Sequence, residues 1–377
     1  MIAKSISGTS VSAIAEALEQ QMEDGFLPTL AFVFCSKSLD LTEMRQLFDE
    51  KDIQIFGATT NGEFTNEEPQ NGTAAILLLD LNQEYFNIYF EAFPANDFRD
   101  IASTVARKAQ SDFNKPAFLL GLSDPTTDGE QVLRGMEDVF GNEVTIFGGC
   151  AGDDYSFTNT FVFTNTELSS KAMVCLAIEE EKVAVHGIAT CGWKAVGTEK
   201  TVTKSEGNHV YTIDNIPALD ITTKYGGLEN ITPNNKDLLV ELAGNFPLQL
   251  QREKGDPIMR PGLVVDWEDR SFYTSGTVPQ GSKVRFSLPP DFDVMEKVIK
   301  GVEQLKEDKM PEAEALIVFS CAGRILSFGP MMNEELEGVK NVWNVPMVGM
   351  FSNGELGRAT GGNLEMHNLT TCCVVHK

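Results

Sequence analysis

The chain has few positive charges and no run of them. Its 377 residues include 30 Lys and Arg against 55 Asp and Glu, which gives a net charge of −25. Nucleic acids and anionic membrane surfaces are recognised by clustered basic side chains, and this sequence offers none. We therefore expect neither kind of partner, and we attribute the acidity to general solubility.

Long apolar runs are also missing. The longest, such as AAILLLDL from Ala74, stop far short of the roughly 18 residues that span a bilayer. The N-terminal segment interrupts its apolar residues with Ser, Glu and Gln, so it lacks the continuous apolar core of a signal peptide. The sequence predicts no membrane insertion and a cytoplasmic location.

Cysteine and histidine are sparse. The 7 cysteines contain no C-x-x-C pair, which argues against a zinc site or a disulfide framework, and most lie in apolar runs where a thiol behaves as a small hydrophobe. The 4 histidines are scattered. His186, in a strand-like run, is most simply interpreted as a core residue. If the chain holds iron, His186 and His367 are the first candidate ligands.

Motifs of catalysis are absent as well. The sequence has no phosphate-binding loop, no GxGxxG after a strand, no GxSxG and no HExxH. We interpret the chain as a protein without catalytic activity. One alternative stays open, because two carboxylates in a cleft can perform acid–base work on a small substrate.

What the chain does contain is one loop in three copies. The copies are GATTNGE (57–63), GGCAGDD (148–154) and GMFSNGE (349–355). Each follows a helix, a short apolar strand, a second helix and a delivering strand, an order typical of parallel strand pairs. The sequence predicts an α/β fold of repeated α-β-α-β units with mixed sheets. The long interval before the third copy leaves room for a degenerate fourth unit between Trp193 and Pro290.

A domain boundary is predicted near residues 211–227. This segment combines a turn, a short helix that begins near Pro217, and a Gly-Gly stop. We therefore divide the chain into residues 1–215 and 216–377.

The three loops are the predicted ligand site. Parallel α/β units bind ligands at the carboxyl ends of their strands, where these loops lie. Gly and Asn permit close backbone approach and left-handed conformations, and each loop ends in an acid. The alternative is that the loops are good turns with solvated acids. The predicted ligand-binding residues in them are Asn61, Gly62, Glu63, Gly149, Asp153, Asp154, Asn353, Gly354 and Glu355.

One arginine completes the predicted site. Arg324 follows the strand that precedes the third loop, and its guanidinium could pair with a carboxylate while a loop acid accepts an ammonium. That combination suits an amino acid. Arg260 is a second candidate partner for an anion. The alternative for Arg324 is a structural or surface ion pair.

Taken together, these blocks resemble the FIST family. The resemblance rests on the three loops, on CGWKAVG and IPALD, and on MRPGLVVDWEDRSFYTSGTVPQG and SCAGR, and it covers nearly the whole chain. The middle loop departs from it by ending GDD instead of NGE, which weakens the assignment of all three acids to one ligand.

The resemblance implies a two-domain sensory protein, with a FIST N and a FIST C domain, that binds a small ligand. Such domains are often joined to kinase, diguanylate cyclase or chemoreceptor modules, so a separate partner is implied here: a histidine kinase, or a cyclic-di-GMP or chemotaxis signalling protein. Similar proteins include haem-binding nitric-oxide sensors that regulate histidine kinases. Haem is therefore the alternative ligand to a small polar molecule.

Overall fold

The computed structural model describes residues 1–95, 97–124, 126–156, 158–228, 231–234 and 244–377. They form three similar α/β units and one separate antiparallel sheet. The predicted α/β class with mixed sheets is confirmed. Across these described ranges, no helix combines the length and the apolarity needed to cross a bilayer.

The first unit follows the predicted α-β-α-β order. Its helices begin at polar caps, because the Ser10 hydroxyl and the Asp40 carboxylate accept hydrogen bonds from N–H groups of the first turn. Its elements are β1 (Ile2–Gly8), α1 (Val11–Met22), β2 (Leu30–Cys35), α2 (Leu41–Asp49), β3 (Gln54–Thr59), β4 (Glu63–Phe64) and β5 (Ala74–Asp80).

The second unit repeats this order. Its elements are β6 (Phe86–Ala92), α3 (Phe98–Asp112), β7 (Pro116–Leu122), α4 (Gly129–Phe140), β8 (Ile146–Cys150), β9 (Val162–Phe163), β10 (Leu168–Ser169) and β11 (Ala172–Glu179). The chain then forms β12 (Val185–Thr190), the first strand of the third unit, before it enters the separate sheet.

That separate sheet, here called the insert sheet, contains the following elements: β13 (Ala195–Glu206), β14 (His209–Ile213), β15 (Ile216–Pro217), α5 (Ala218–Gly226), β16 (Leu248–Leu250), β17 (Ile258–Arg260), β18 (Gly262–Asp266), β19 (Ser271–Thr274) and β20 (Lys283–Ser287). Its strand pairs are all antiparallel. The fourth α-β-α-β unit expected between Trp193 and Pro290 is therefore wrong. The added length before the third loop belongs to this antiparallel sheet.

The chain returns from the insert sheet to complete the third unit. Its remaining elements are α6 (Phe292–Asp308), β21 (Ala315–Cys321), α7 (Ala322–Phe328), α8 (Met332–Trp343), β22 (Met347–Ser352), β23 (Glu355–Arg358), β24 (Leu364–His367) and β25 (Thr371–His376).

All three units build the same four-stranded core sheet. The orders are β1–β5–β2–β3, β6–β11–β7–β8 and β12–β25–β21–β22. In each, the last two strands are parallel and are joined by a crossover helix, while the other pairs are antiparallel. The strand–helix–strand pattern predicted from the sequence is confirmed.

The units are joined by a cyclic exchange of strands. After each loop, the chain leaves its own sheet and pairs with the next: β4 with β22, β9 with β3, and β23 with β8. The exchanged strands explain the first glycine of two loops, because a Cβ on Gly57 would lie 2.3 Å from the Phe163 ring and one on Gly349 would lie 2.2 Å from the Phe64 ring.

The predicted domain boundary falls inside the insert sheet. The boundary between residues 215 and 216 lies at the start of β15, which pairs with β14. The third unit also takes β12 and β4 from the first 215 residues and its other strands from the remainder. The division into 1–215 and 216–377 stays a prediction about sequence domains, and in the fold both segments contribute to the same sheets.

Candidate functional site

The three repeated loops meet one another through a ring of backbone hydrogen bonds. The Asn61 N–H donates to the Phe351 carbonyl at 3.0 Å, the Asn353 N–H donates to Cys150 at 3.0 Å, and the Gly152 N–H donates to Thr59 at 2.8 Å. Each loop thus donates to a different neighbour and accepts from the other. We call the three loops, joined in this way, the loop ring.

The asparagine side chains tighten the loop ring. Asn61 Nδ2 donates to Asn353 Oδ1 at 2.8 Å, and Asn353 Nδ2 donates to the Ala151 carbonyl at 2.8 Å. Asn61 Oδ1 accepts from the N–H groups of Asp153 and Tyr155, both at 3.1 Å. The amides predicted to contact a ligand are therefore occupied by protein partners.

The two loop glutamates are buried as well, with both oxygens of Glu63 and one oxygen of Glu355 bonded to the protein. Glu63, 1% exposed, accepts hydrogen bonds from Thr60 Oγ1 and from both the N–H and the hydroxyl of Thr73. Glu355, 0% exposed, accepts from Ser352 Oγ at 2.7 Å. Burial raises the pKa of Glu63 to about 7 and that of Glu355 to about 8, despite these hydrogen bonds.

The middle loop places its two acids differently. Asp153 Oδ2 accepts from the Thr158 N–H at 2.6 Å and lies 3.8 Å from Lys37 Nζ. Asp154 has a left-handed backbone, with φ of +57°, and its Oδ2 accepts from Ser36 Oγ at 2.8 Å. Both acids therefore bind the chain segment after β2, and neither reproduces the environment of Glu63 or Glu355.

The loop glycines lie against side chains and not against open space. A Cβ on Gly149 would lie 2.8 Å from the Phe319 ring, and one on Gly354 would lie 2.7 Å from Met366 Cε. Gly62, with φ of +124°, is tightest against Asn71. These glycines let the loops pack closely. Their assignment as ligand contacts stays a prediction.

Arg324 and Arg260, the two candidate anion partners, are both buried and paired. Arg324 forms a two-pronged ion pair with Glu335, and its Nη1 donates to two backbone carbonyls at 2.9 Å. Arg260 Nη2 donates to Glu130 at 3.1 Å, and its Nη1 donates to Met366 O at 3.0 Å. This geometry favours the structural ion-pair alternative for Arg324 and connects Arg260 of the insert sheet to the second unit.

The described residues also enclose a groove of about 310 Å³. Its walls come from two distant parts of the chain, residues 143–188 and residues 301–361. We call it the inter-unit groove. Apolar side chains line part of it: Ile146, Phe147, Ile188, Leu305 and Ala359.

Charged groups of both signs line the rest of the groove. The cations are Lys309 and Arg358, and the acids are Glu143 and Asp308. Arg358 is held by hydrogen bonds from its guanidinium to the carbonyls of Gly362 and Asn142, which keeps it at the edge of the groove. Sequence reasoning missed these residues because they lie outside the repeated loops. The one available signal was that Arg358 follows the third loop by three residues.

The two candidate iron ligands are in different surroundings. His186, on β12, lines the inter-unit groove, and its imidazole forms no hydrogen bond within the described part of the chain. Burial lowers its pKa; Glu180 opposes this shift, and Lys309 and Lys115 add to it, so the net shift favours the neutral ring. His367, 4% exposed, shares a hydrogen bond between its Nε2 and the Gly357 carbonyl, and burial lowers its pKa to about 4.

Comparison with known families identifies the two halves of the sequence. The model of the FIST N domain matches residues 29–216, and the model of the FIST C domain matches residues 218–358. The chain belongs to the FIST family. FIST domains are sensory domains of signal-transduction proteins and bind small ligands. A search of curated proteins finds no match to this FIST chain.

Proposed function

We propose that this FIST chain senses a small polar ligand of the amino-acid class in the inter-unit groove. The observation that carries the proposal is the presence of charges of both signs beside an apolar wall. Lys309 and Arg358 suit a carboxylate, while Glu143 and Asp308 suit an ammonium group. A groove of about 310 Å³ lies at the lower end of the range of small-molecule sites, about 300–1,000 Å³.

The same strand pair connects the groove to the loop ring. β8 carries Phe147 in the groove and Gly149 in the ring, and β23 carries Arg358 in the groove and Glu355 in the ring. A ligand that prefers one arrangement of β8 against β23 therefore biases the loops of all three units. The recipient of that signal is proposed to be a separate histidine kinase, or a cyclic-di-GMP or chemotaxis protein.

The test is a thermal-shift screen of the twenty L-amino acids, followed by titration calorimetry of any that stabilise the protein. Lys309→Met should weaken binding about 10-fold, through the loss of a charge-assisted hydrogen bond. Lys224→Met is the matched control, since Lys224 is exposed on α5 and does not line the groove.

Two results would redirect the proposal. If Lys309→Met and Arg358→Met both bind as wild type does, the ligand is not in the groove. If affinity instead falls in a Glu63→Gln, Glu355→Gln double variant that remains folded, the ligand contacts the loop ring, as the sequence prediction had it.

Haem is the second candidate ligand, and the observation that favours it is His186. A neutral imidazole without a hydrogen-bond partner among the described residues is the form that ligates iron. The apolar wall suits a porphyrin face, and Lys309 and Arg358 suit propionates. These residues fit the group, which when bound would supply an iron site for a diatomic gas.

Absorption spectroscopy separates the two ligands. In hemin titrations, a stoichiometric Soret band that shifts with nitric oxide and disappears in His186→Ala would establish haem at this groove. The band should survive His367→Gln, because that ring is bonded to the Gly357 carbonyl. If no specific band forms, the amino-acid proposal is the one to pursue.

The paired-carboxylate enzyme has the least support of the three functions. Its two acids, Glu63 and Glu355, are 1% and 0% exposed and are bonded within their own loops. Turnover of a small substrate that is lost in Glu355→Gln would nonetheless establish it.

A further inference from the structure

The insert sheet brings one histidine and two aspartates together. His209 lies on β14, Asp266 ends β18, and Asp269 lies in the turn between β18 and β19. β19 connects them, because His209 pairs with Tyr273 and Asp266 pairs with Ser271. One ligand atom from each of the three side chains lies within 4.8 Å of the other two.

His209 is held in one orientation. Its side chain is 8% exposed and packs against the rings of Tyr211 and Tyr273, with both centroid distances at 3.9 Å. Its Nε2 is 2.5 Å from Ser271 Oγ. A hydrogen bond to one ring nitrogen that fixes orientation while the other nitrogen stays available is the usual arrangement of a metal-binding histidine. The contacts with the two tyrosines and with Ser271 restrict rotation of the ring.

The two aspartates lack a protein cation. Asp266 Oδ1 accepts from the Glu268 N–H at 3.0 Å, and Asp269 Oδ1 accepts from the Ser271 N–H at 3.1 Å, which leaves the second oxygen of each carboxylate. Arg270, next in sequence to Asp269, pairs with Asp220 on α5 instead. Within the described ranges, neither aspartate forms an ion pair with a basic side chain, so two negative charges share one hairpin end without compensation.

We propose that His209, Asp266 and Asp269 bind a divalent transition-metal ion. Imidazole nitrogen with carboxylate oxygens suits Mn²⁺, Fe²⁺, Ni²⁺ or Zn²⁺, whereas Mg²⁺ and Ca²⁺ prefer oxygen ligands alone. Ligands about 2.1 Å from a metal lie about 3 Å apart, so the two carboxylates must rotate inwards. Water completes the shell on the exposed side of Asp269. This site is independent of the inter-unit groove, and its metal would tie β14 to the β18–β19 hairpin.

Electron paramagnetic resonance with Mn²⁺ tests the site in the full chain, because free aqueous Mn²⁺ gives a strong six-line signal that falls on binding. The wild type should remove one Mn²⁺ per chain. Asp266→Asn and Asp269→Asn should each weaken binding at least 10-fold, because the ionised carboxylate is the group that binds the metal and the amide is uncharged. Circular dichroism shows whether each variant remains folded.

Asp214→Asn is the matched control. Asp214 lies in the same sheet, in the turn after β14, but is paired with Lys200 at 3.1 Å. The same change of charge there should leave Mn²⁺ binding intact. Binding that is unchanged in both Asp266→Asn and Asp269→Asn would overturn the proposal. So would several weakly bound ions per chain, the result expected from a general acidic surface of net charge −25.

Discussion

The loop ring and the inter-unit groove lie at opposite ends of the same strand pair, β8 and β23, yet they differ in almost every property. The ring is buried, and its side chains bond to one another across three units. The groove is open to solvent and carries side chains of both signs, with His186 unbonded. The loop is repeated in the sequence because all three units use it for the same purpose, which is to join one unit to the next. Ligand recognition needs a distinctive set of side chains, and the set that we propose for it lies where two non-equivalent segments meet.

The largest effect should come from the buried ion pair behind the ring. Arg324→Met leaves the Glu335 carboxylate without its cation at 0% exposure of both partners. We expect the free energy of unfolding in urea to fall by about 3–5 kcal/mol. Replacing both partners, in Arg324→Met, Glu335→Leu, should recover much of that loss.

Arg99→Met is the comparison for that variant. Arg99 also forms a two-pronged pair, with Asp138, but the side chains are 50% and 41% exposed. Its loss should lower the free energy of unfolding far less than Arg324→Met does, because solvent screens an exposed ion pair. Equal losses in the two arginine variants would mean that the pair with Glu335 is not isolated from water in solution.

A smaller effect should appear as a pH dependence of stability. Burial raises the pKa of Glu355 to about 8, so the folded chain holds a proton that the unfolded chain has released. Its contribution to stability is complete below the unfolded pKa, near 4.5, and is lost as the pH rises towards 8. The free energy of unfolding of the wild type should therefore fall between pH 6.5 and 8, and that of Glu355→Gln should fall by about 2 kcal/mol less over the same interval.

The window for that measurement follows from the other buried groups. His367 and His376 have pKa values lowered to about 4, so their contribution is lost only as the pH falls below the unfolded value of 6.5. Urea unfolding from pH 6.5 upwards avoids most of their titration, and Glu63, whose pKa burial raises to about 7, is present in both wild type and variant and so does not alter the comparison between them. Glu337→Gln, an exposed glutamate on α8, should keep the wild-type pH profile. A Glu355→Gln profile that matches wild type would show that Glu355 ionises freely in the folded protein.

The smallest effect on stability should come from the groove. The ammonium of the Lys309 side chain forms no hydrogen bond or ion pair in the described part of the chain, so Lys309→Met should change the free energy of unfolding by about 0.5 kcal/mol or less. Urea unfolding of this variant beside Arg324→Met gives the contrast directly. A loss near 3 kcal/mol for Lys309→Met would show that the groove side chains stabilise the fold as strongly as the buried ion pair does, and the two regions would then not differ in this respect.

The repeated units could be predicted because their patterns are local. Helical spacing in α1, apolar runs such as β2 and the constant loop spacing all lie within short windows. The strand exchange left no such pattern, because β4 and β9 are two residues long and their partners are distant in sequence. The insert sheet was wrongly predicted for a related reason. The long interval between the second and third loops shows that residues were added there, but it does not show which secondary structure they form.

The candidate site was predictable only in part. The loops were found, but the sequence could not show that Asn61 and Asn353 bond to each other across 292 positions. Arg324 was recognised as unusual, although its partner Glu335 lies on a different helix. His186 was named as a candidate ligand, and the structure places it in the groove. Lys309 had no motif around it, because its place in the groove depends on how α6 packs beside β12.

The cyclic strand exchange also constrains how the chain can be made. On the ribosome, β4 emerges almost 300 residues before β22, and β8 about 200 before β23. Until the last unit is synthesised, both strands have an edge whose backbone N–H and C=O groups are unpaired. Such edges can pair with other chains and cause aggregation. A product that terminates early keeps those edges permanently. The cyclic exchange therefore cannot be completed before β22 and β23, residues 347–358, have been synthesised.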